Sequence, residues 1–160
     1  MESPSETVTV LAVDDDFVCH MLVERAMRDI RSCVRIAVAH HGLEALEKLR
    51  CTDPTNAVRP PYVILLDLRM PQMDGLEFLE AVRTDQKLHD AIVFVLSTST
   101  QEEDVRTAFS FNVAGYFVKS ADYAEFREMM TVLDQYCRLT AFPPRSDRAK
   151  HSPTAAGTGG

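Results

Sequence analysis

With 160 residues, 46% of them hydrophobic and 26% charged, the chain has the size and balance of one ordinary globular domain, not of a disordered segment. A formal net charge of −7 argues against a nucleic-acid binder, which needs a basic face, and suits clustered acids that hold a cation or a locally basic partner. The longest apolar runs, at 62–66 and 91–96, are strand-length and far short of the roughly 20 residues that span a bilayer, so no membrane association is expected.

Strand-like and helix-like segments alternate along the chain. Val8 to Val13 (VTVLAV) is β-branched and almost wholly apolar, which predicts a strand buried on both faces. Phe17 to Ile30 reads as a helix, with Val18, Leu22 and Ala26 at helical spacing. Val34 to Ala39 is a second short strand. Leu43 to Leu49 is helical, with Leu43, Leu46 and Leu49 on one side. Pro54, Pro60 and Pro61 mark 51–61 as loop, and Tyr62 to Asp67 (YVILLD) is the third strand. Asp74-Gly-Leu-Glu77 has the form of a capping box opening a helix that Leu76, Leu79 and Val82 continue. Ile92 to Leu96 is the fourth strand. Thr100-Gln-Glu-Glu103 is a second capping box, before a helix expected to turn Val105, Ala108 and Phe109 inward. A fifth short strand covers Tyr116 to Val118. The last helix runs from about Ala121 to Leu139 with Tyr123, Phe126, Met130, Leu133 and Cys137 as its apolar stripe. From Thr140 onward the Pro-, Gly- and small-residue composition predicts a disordered tail, 140–160, after a folded unit at 7–139.

Five strands alternating with five helices imply an α/β fold, a parallel sheet covered on both faces in the flavodoxin-like order 2-1-3-4-5. The four cysteines, Cys19, Cys33, Cys51 and Cys137, form no CxxC pair, and reduced thiols in the cytoplasm are the simplest expectation. The N-terminal MESPSETVTV has no basic patch followed by an apolar stretch, so no signal peptide is expected. His40 and His41 read as exposed loop residues, and neither they nor Cys19 and His20 are given a role.

Ligands in such sheets bind beyond the carboxyl ends of the strands, at the switch point between the first and third. The first strand ends in Asp14-Asp15-Asp16, the third in Asp67, the fourth in Ser97-Thr98-Ser99 and the fifth in Lys119. Taken alone, the three acids would be a helix cap and solvated charge, and Lys119 a surface lysine; their convergence on one sheet edge changes that. Carboxylates about 4 Å apart repel by about 4 kcal/mol per pair at an effective dielectric near 20, so either some stay protonated or a cation holds them. Hard oxygen donors suit Mg²⁺. Such an assembly fits phosphoryl transfer, in which an aspartate is the nucleophile and catalysis is mostly positioning and charge neutralisation.

Four stretches, VDDD (Val13 to Asp16), LLDLRMPQMDG (Leu65 to Gly75), VLSTS (Val95 to Ser99) and GYFVKS (Gly115 to Ser120), resemble response-regulator receiver domains of two-component systems in order and spacing. The resemblance covers about Val8 to Leu139. It implies a phosphoacceptor at Asp67 and Mg²⁺ held by Asp14, Asp15, Asp67 and the backbone carbonyl of Arg69. It implies a switch hydroxyl at Ser97 with Thr98 beside it, a switch aromatic at Tyr116, and a phosphoryl-binding Lys119. Met70-Pro71 and Asp74-Gly75 would shape the loop after the acceptor. The implied partner is a sensor histidine kinase, and the LSTST and Lys-Ser features are similar to small receivers that serve phytochrome-type kinases. A homodimer through the face formed by helix 4, strand 5 and helix 5 is a further implication. So is signalling by protein contacts with no DNA-binding output domain.

Two departures stand out. Ser120 replaces the family's proline after the lysine, which leaves the geometry of that peptide bond open, because a cis bond before a non-proline residue costs about 2.5–4 kcal/mol. Arg69 is close enough in sequence for its side chain to reach the pocket, where it would tune phosphoryl lifetime or pair with the acids when metal is absent. Two other classes remain to be weighed. A magnesium-dependent phosphohydrolase with an aspartyl-phosphate intermediate would place nucleophile and acid two residues apart on the first strand. A flavin or nucleotide module would want a phosphate-cradling loop where this chain has three aspartates.

Overall fold

The computed structural model describes residues 6–143. Five strands, β1 (Thr9–Val13), β2 (Arg35–Ala39), β3 (Tyr62–Leu66), β4 (Ile92–Ser97) and β5 (Gly115–Val118), form one parallel sheet in the order β2-β1-β3-β4-β5. They alternate with α1 (Phe17–Asp29), α2 (Gly42–Arg50), α3 (Gly75–Thr84), α4 (Glu102–Ser110) and α5 (Tyr123–Leu139). This is the expected flavodoxin-like arrangement. Successive strand residues point to opposite faces, so each strand feeds two cores. Leu11, Val13, Ile64, Leu66, Val93 and Val95 pack under α2, α3 and α4 with Ala45, Phe78, Leu79 and Ala108. Val10, Val63, Leu65, Phe94 and Leu96 pack on the other face against Val23 and Ala26 of α1 and Phe126, Met130 and Leu133 of α5.

Register then fixes the site. Val13 lies opposite both Ala39 and Leu66, so the next residues, Asp14 and Asp67, emerge side by side at the switch point. The ladder runs one step further: the Asp67 N–H donates to the Val13 carbonyl (2.9 Å), and the Lys119 N–H to that of Ser97 (2.8 Å). Gly75, at the start of α3, lies under the loop that leaves Asp67. A Cβ there would press on the Asp67 carbonyl oxygen and lie 2.6 Å from the Cα of Leu68, so only glycine permits this approach.

Several local expectations need correction. Val18 is 58% exposed, and α1 instead buries Cys19, His20, Val23, Ala26 and Met27. Its apolar residues are too nearly continuous to set the phase. The Asp16 cap, which accepts from the Val18 N–H at 2.9 Å, sets it. Leu43 is exposed while Ala45 and Leu46 of α2 are buried. Thr100 opens no capping box: α4 starts at Glu102, its N-cap Gln101 makes no side-chain cap bond, and Ser99 satisfies the Gln101 N–H (3.3 Å). Within α4 Ala108 is buried, Val105 is half-buried and Phe109 is 48% exposed, turned outward. Asp74 does cap α3, accepting from the Glu77 N–H at 2.9 Å, but the reciprocal Glu77 bond does not form. The Lys119–Ser120 peptide bond is trans, and the cis bond among the described residues is Pro60–Pro61. Of the tail expected from Thr140, Phe142 packs beside the α1/α5 core, and residues 144–160 lie outside those described. No helix among the described residues is long and apolar enough to cross a membrane.

Candidate functional site

The carboxyl ends of β1, β3 and β5 bring together Asp14, Asp15, Asp67 and Lys119. Asp14 and Asp67 are buried, 4% and 6% exposed, and Asp15 is exposed at the rim. One carboxylate oxygen from each of the three aspartates lies within 4.8 Å of the others. Lys119 Nζ donates to Asp14 Oδ2 at 2.7 Å and lies 3.7 Å from Asp67 Oδ2. The lysine is therefore committed chiefly to Asp14, and the Asp67 charge is the less compensated of the two. Burial, and then the Asp14 charge, push the Asp67 carboxyl up to about 6, although Lys119 and a backbone N–H at Arg69 pull the other way. Burial draws Lys119 downward, but the hydrogen bond and charge of Asp14 outweigh it, and its ammonium is held above the usual value.

These groups have the donor set for a hard divalent cation: two buried carboxylates and one exposed carboxylate, all oxygen, with an excess of negative charge that one lysine does not balance. Arg69 immediately follows the Leu68 segment that Gly75 supports, so its backbone is held next to the cluster.

Around this pocket lies a second layer. Ser97 ends β4 with no exposure, its Oγ accepting from the Ser99 N–H at 3.2 Å. Ser99 also donates from its hydroxyl to Asp104 Oδ2 (2.6 Å), and its carbonyl accepts from the Tyr116 hydroxyl (2.9 Å). Tyr116 is half-buried against the α2–α4 core. Thr98 is exposed at the rim and joins none of these bonds. Arg69 does not pair with the pocket acids. Its guanidinium reaches α4 and binds Asp104 Oδ2 at 2.7 Å, while Lys119 occupies Asp14. The Ser99 hydroxyl bond, aided by Arg69, holds the Asp104 carboxyl below the usual range.

Two residues given no role from the sequence border the site. The His20 Nε2 lies 2.7 Å from the Asp14 carbonyl oxygen, and Cys19 lies beneath Asp14 with its thiol pushed up to about 12 by burial and then by the Asp14 charge. A protonated, buried thiol of this kind is inert. The phase of α1 hid His20, which falls on the outer face when Val18, Leu22 and Ala26 are placed inward. His41 is not a plain loop residue either: its Nδ1 caps α2 by accepting from the Glu44 N–H at 3.1 Å.

The chain is similar in sequence and fold to known proteins. The chain is 32% identical over 127 residues, 79% of its length and 81% of the relative's, to the probable methanogenesis regulatory protein FilR2 of Methanothrix harundinacea. It is 27% identical over 135 residues to the response regulator Rcp1 of Synechocystis, covering 84% of this chain and 92% of that protein. The Mn²⁺-bound crystal form of Rcp1 superposes with a TM-score of 0.75 over 85% of this chain and 99% of that one. The phosphorylated cyanobacterial phytochrome response regulator RcpA gives a TM-score of 0.77 at 28% identity, over 86% and 99% of the two chains. The family model of the response regulator receiver domain matches residues 10–131, from β1 to about the middle of α5, and the chain belongs to that family.

Proposed function

We propose that this chain accepts a phosphoryl group from a sensor histidine kinase on Asp67, in a reaction that requires Mg²⁺, and signals by contacts with other proteins. The observation that carries the proposal is the cluster itself: three carboxylate oxygens within 4.8 Å, two of the residues buried, beside a lysine that serves both Asp14 and Asp67. A bound Mg²⁺, held by Asp14, Asp15, Asp67 and the Arg69 carbonyl, would neutralise phosphoryl oxygens and hold the acids together.

In the proposed reaction an Asp67 oxygen attacks the phosphorus of a kinase phosphohistidine. The phosphorus–nitrogen bond breaks, the imidazole leaves, and an acyl phosphate forms on Asp67. Lys119 lies within 4 Å of Asp67 and is placed to neutralise a phosphoryl oxygen. The Ser97 hydroxyl accepts from Ser99 but has its own hydrogen to give, and a short rotation turns it toward the new phosphoryl group. Tyr116 is already packed against the core with its hydroxyl on the Ser99 carbonyl, so it need not move inward from solvent. Phosphorylation therefore stabilises an arrangement the chain already samples. Receiver domains are signalling proteins, which supports a switch over a turnover enzyme on small substrates.

The likeness to Rcp1 and RcpA, the latter described as a phytochrome response regulator, supports a phytochrome-type kinase as the donor. Exposed Phe109, Val118, Val132 and Leu139 on α4, β5 and α5 support a homodimer through that face. The net charge of −7 supports protein partners over nucleic acid, and four free cysteines support the cytoplasm.

The test is intact mass after incubation with phosphoramidate or acetyl phosphate, with and without Mg²⁺, for wild type and Asp67→Asn. One phosphate adduct that needs Mg²⁺ and is absent from the variant is expected. An adduct of equal yield on Asp67→Asn, or one formed equally well in EDTA, overturns the assignment.

A further inference from the structure

His20 carries the inference. It lies on the first turn of α1, 4% exposed, with its Nε2 2.7 Å from the carbonyl oxygen of Asp14. A carbonyl oxygen only accepts, so Nε2 carries the hydrogen and donates it. That leaves Nδ1 as the other nitrogen, and it is the one buried side-chain polar atom among the described residues with no partner. An orphaned buried nitrogen is a cost that an apolar side chain at the same position would avoid. The ring is held edge-on to His40 (centroids 5.5 Å, 75°), which orients it without supplying a bond to Nδ1.

The Asp14 carbonyl needs this donor. Asp14 is one residue beyond β1; its N–H still reaches the Ala39 carbonyl (3.0 Å), but the ladder offers its carbonyl no N–H. The imidazole, six residues on, closes that gap and ties α1 to the backbone between Asp14 and Asp15. Asp14's carboxylate is meanwhile held by the Asp16 N–H (2.9 Å) and Lys119 (2.7 Å). Three donors thus fix one residue at its carbonyl and at both carboxylate oxygens.

We propose that His20 is a positioning residue of the acidic pocket: through its hydrogen bond to the Asp14 carbonyl it holds the Asp14–Asp15 peptide so that both carboxylates face Asp67 and the divalent cation. The inference rests on the metal-dependent reading above. Groups that orient a metal's ligands without touching the metal commonly govern its affinity by 10–100-fold, and His20 stands in that relation to Asp14.

The experiment compares wild type, His20→Leu and His20→Gln, each as the full chain, by calorimetry with Mg²⁺ and by circular dichroism. A glutamine side-chain amide places an N–H near the position of imidazole Nε2. His20→Leu is expected to bind Mg²⁺ about tenfold or more weakly, with His20→Gln recovering most of the loss. Leucine binding like wild type overturns the proposal, as does glutamine failing as fully as leucine while folded. ¹⁵N spectra of the wild-type imidazole, without added metal, give a reading that depends on no variant folding: a hydrogen on Nε2 is expected, and a hydrogen on Nδ1 with Nε2 bare overturns the proposal. Wild type that takes no Mg²⁺ defeats the metal-dependent reading and this proposal with it, whereas wild type that binds while His20→Leu is unimpaired defeats this proposal alone.

Discussion

Asp67 carries a conflict between folding and chemistry. Burial and the Asp14 charge raise its carboxyl from 3.8 to about 6, so without metal the folded chain holds that proton to higher pH than the unfolded chain does. The sign follows: this group's contribution to stability is complete below the unfolded value near 3.8 and is lost as pH rises through about 6. A shift of about two units corresponds to at most about 3 kcal/mol. Asp67→Asn removes the buried charge, so in EDTA at pH 7.5 it should be more stable than wild type by about 1–3 kcal/mol. The difference should close toward pH 4. Urea unfolding at the two pH values measures it; a wild type as stable as the variant at pH 7.5 would show that Lys119 compensates Asp67 fully. Saturating Mg²⁺ should favour wild type by mass action. Gly75 makes a different demand, steric instead of electrostatic. Gly75→Ala sets a methyl group against the Asp67 carbonyl and Leu68, and should cost about 1–3 kcal/mol while reducing phosphorylation, both measurable on one preparation.

The β4–α4 connection is organised by Ser99, which bonds Ser97 through its N–H, Asp104 and Gln101 through its hydroxyl, and Tyr116 through its carbonyl. Arg69 joins the same Asp104 oxygen, so the segment after Asp67 and the start of α4 are clasped together. Asp104→Ala removes the shared acceptor. Amide exchange at Ser99 and Gln101 should then quicken by about tenfold relative to the β4 core, read by hydrogen–deuterium exchange; unchanged exchange would show that Tyr116 alone holds the loop. This clasp is also where the sequence was least legible. Strand order, the acidic pair and Lys119 could be read because almost continuous apolar runs end abruptly in polar or charged residues, and parallel topology fixes where those ends meet. The partner of Arg69 could not, because a long side chain has several carboxylates within reach and only the folded loop decides which one it meets. Helix faces were misassigned at Val18, Leu43 and Phe109, where exposed apolar residues mimic core spacing. The role of His20 was hidden by the same error of phase, since its bond to Asp14 exists only when that face of α1 turns inward.

At the scale of the whole molecule, the exposed large apolar residues other than Leu43 fall in two regions. Phe17, Val18 and Met21 flank the acidic pocket on α1, while Phe109, Val118, Val132 and Leu139 belong to α4, β5 and α5. β5 is an edge strand of only four residues, a length that limits strand-to-strand pairing, so association through this side must use side chains. The clasp joins the end of β4 to β5 mechanically: Ser99 binds Ser97, and Tyr116 on β5 binds Ser99. In the proposed switch, a phosphoryl group that draws Ser97 toward Asp67 would pull on the same loop that Tyr116 holds, and would repack the α4–β5–α5 side. If that side is the dimer face, a charge at its centre should separate phosphorylation from assembly. Val132→Lys lies on the exposed side of α5, away from Met130 and Leu133, and should fold and accept phosphate on Asp67 as wild type does. Phosphorylated wild type is expected to sediment as a dimer and phosphorylated Val132→Lys as a monomer. A variant that still dimerises on phosphorylation would move the interface elsewhere, with the α1 apolar cluster the next surface to alter.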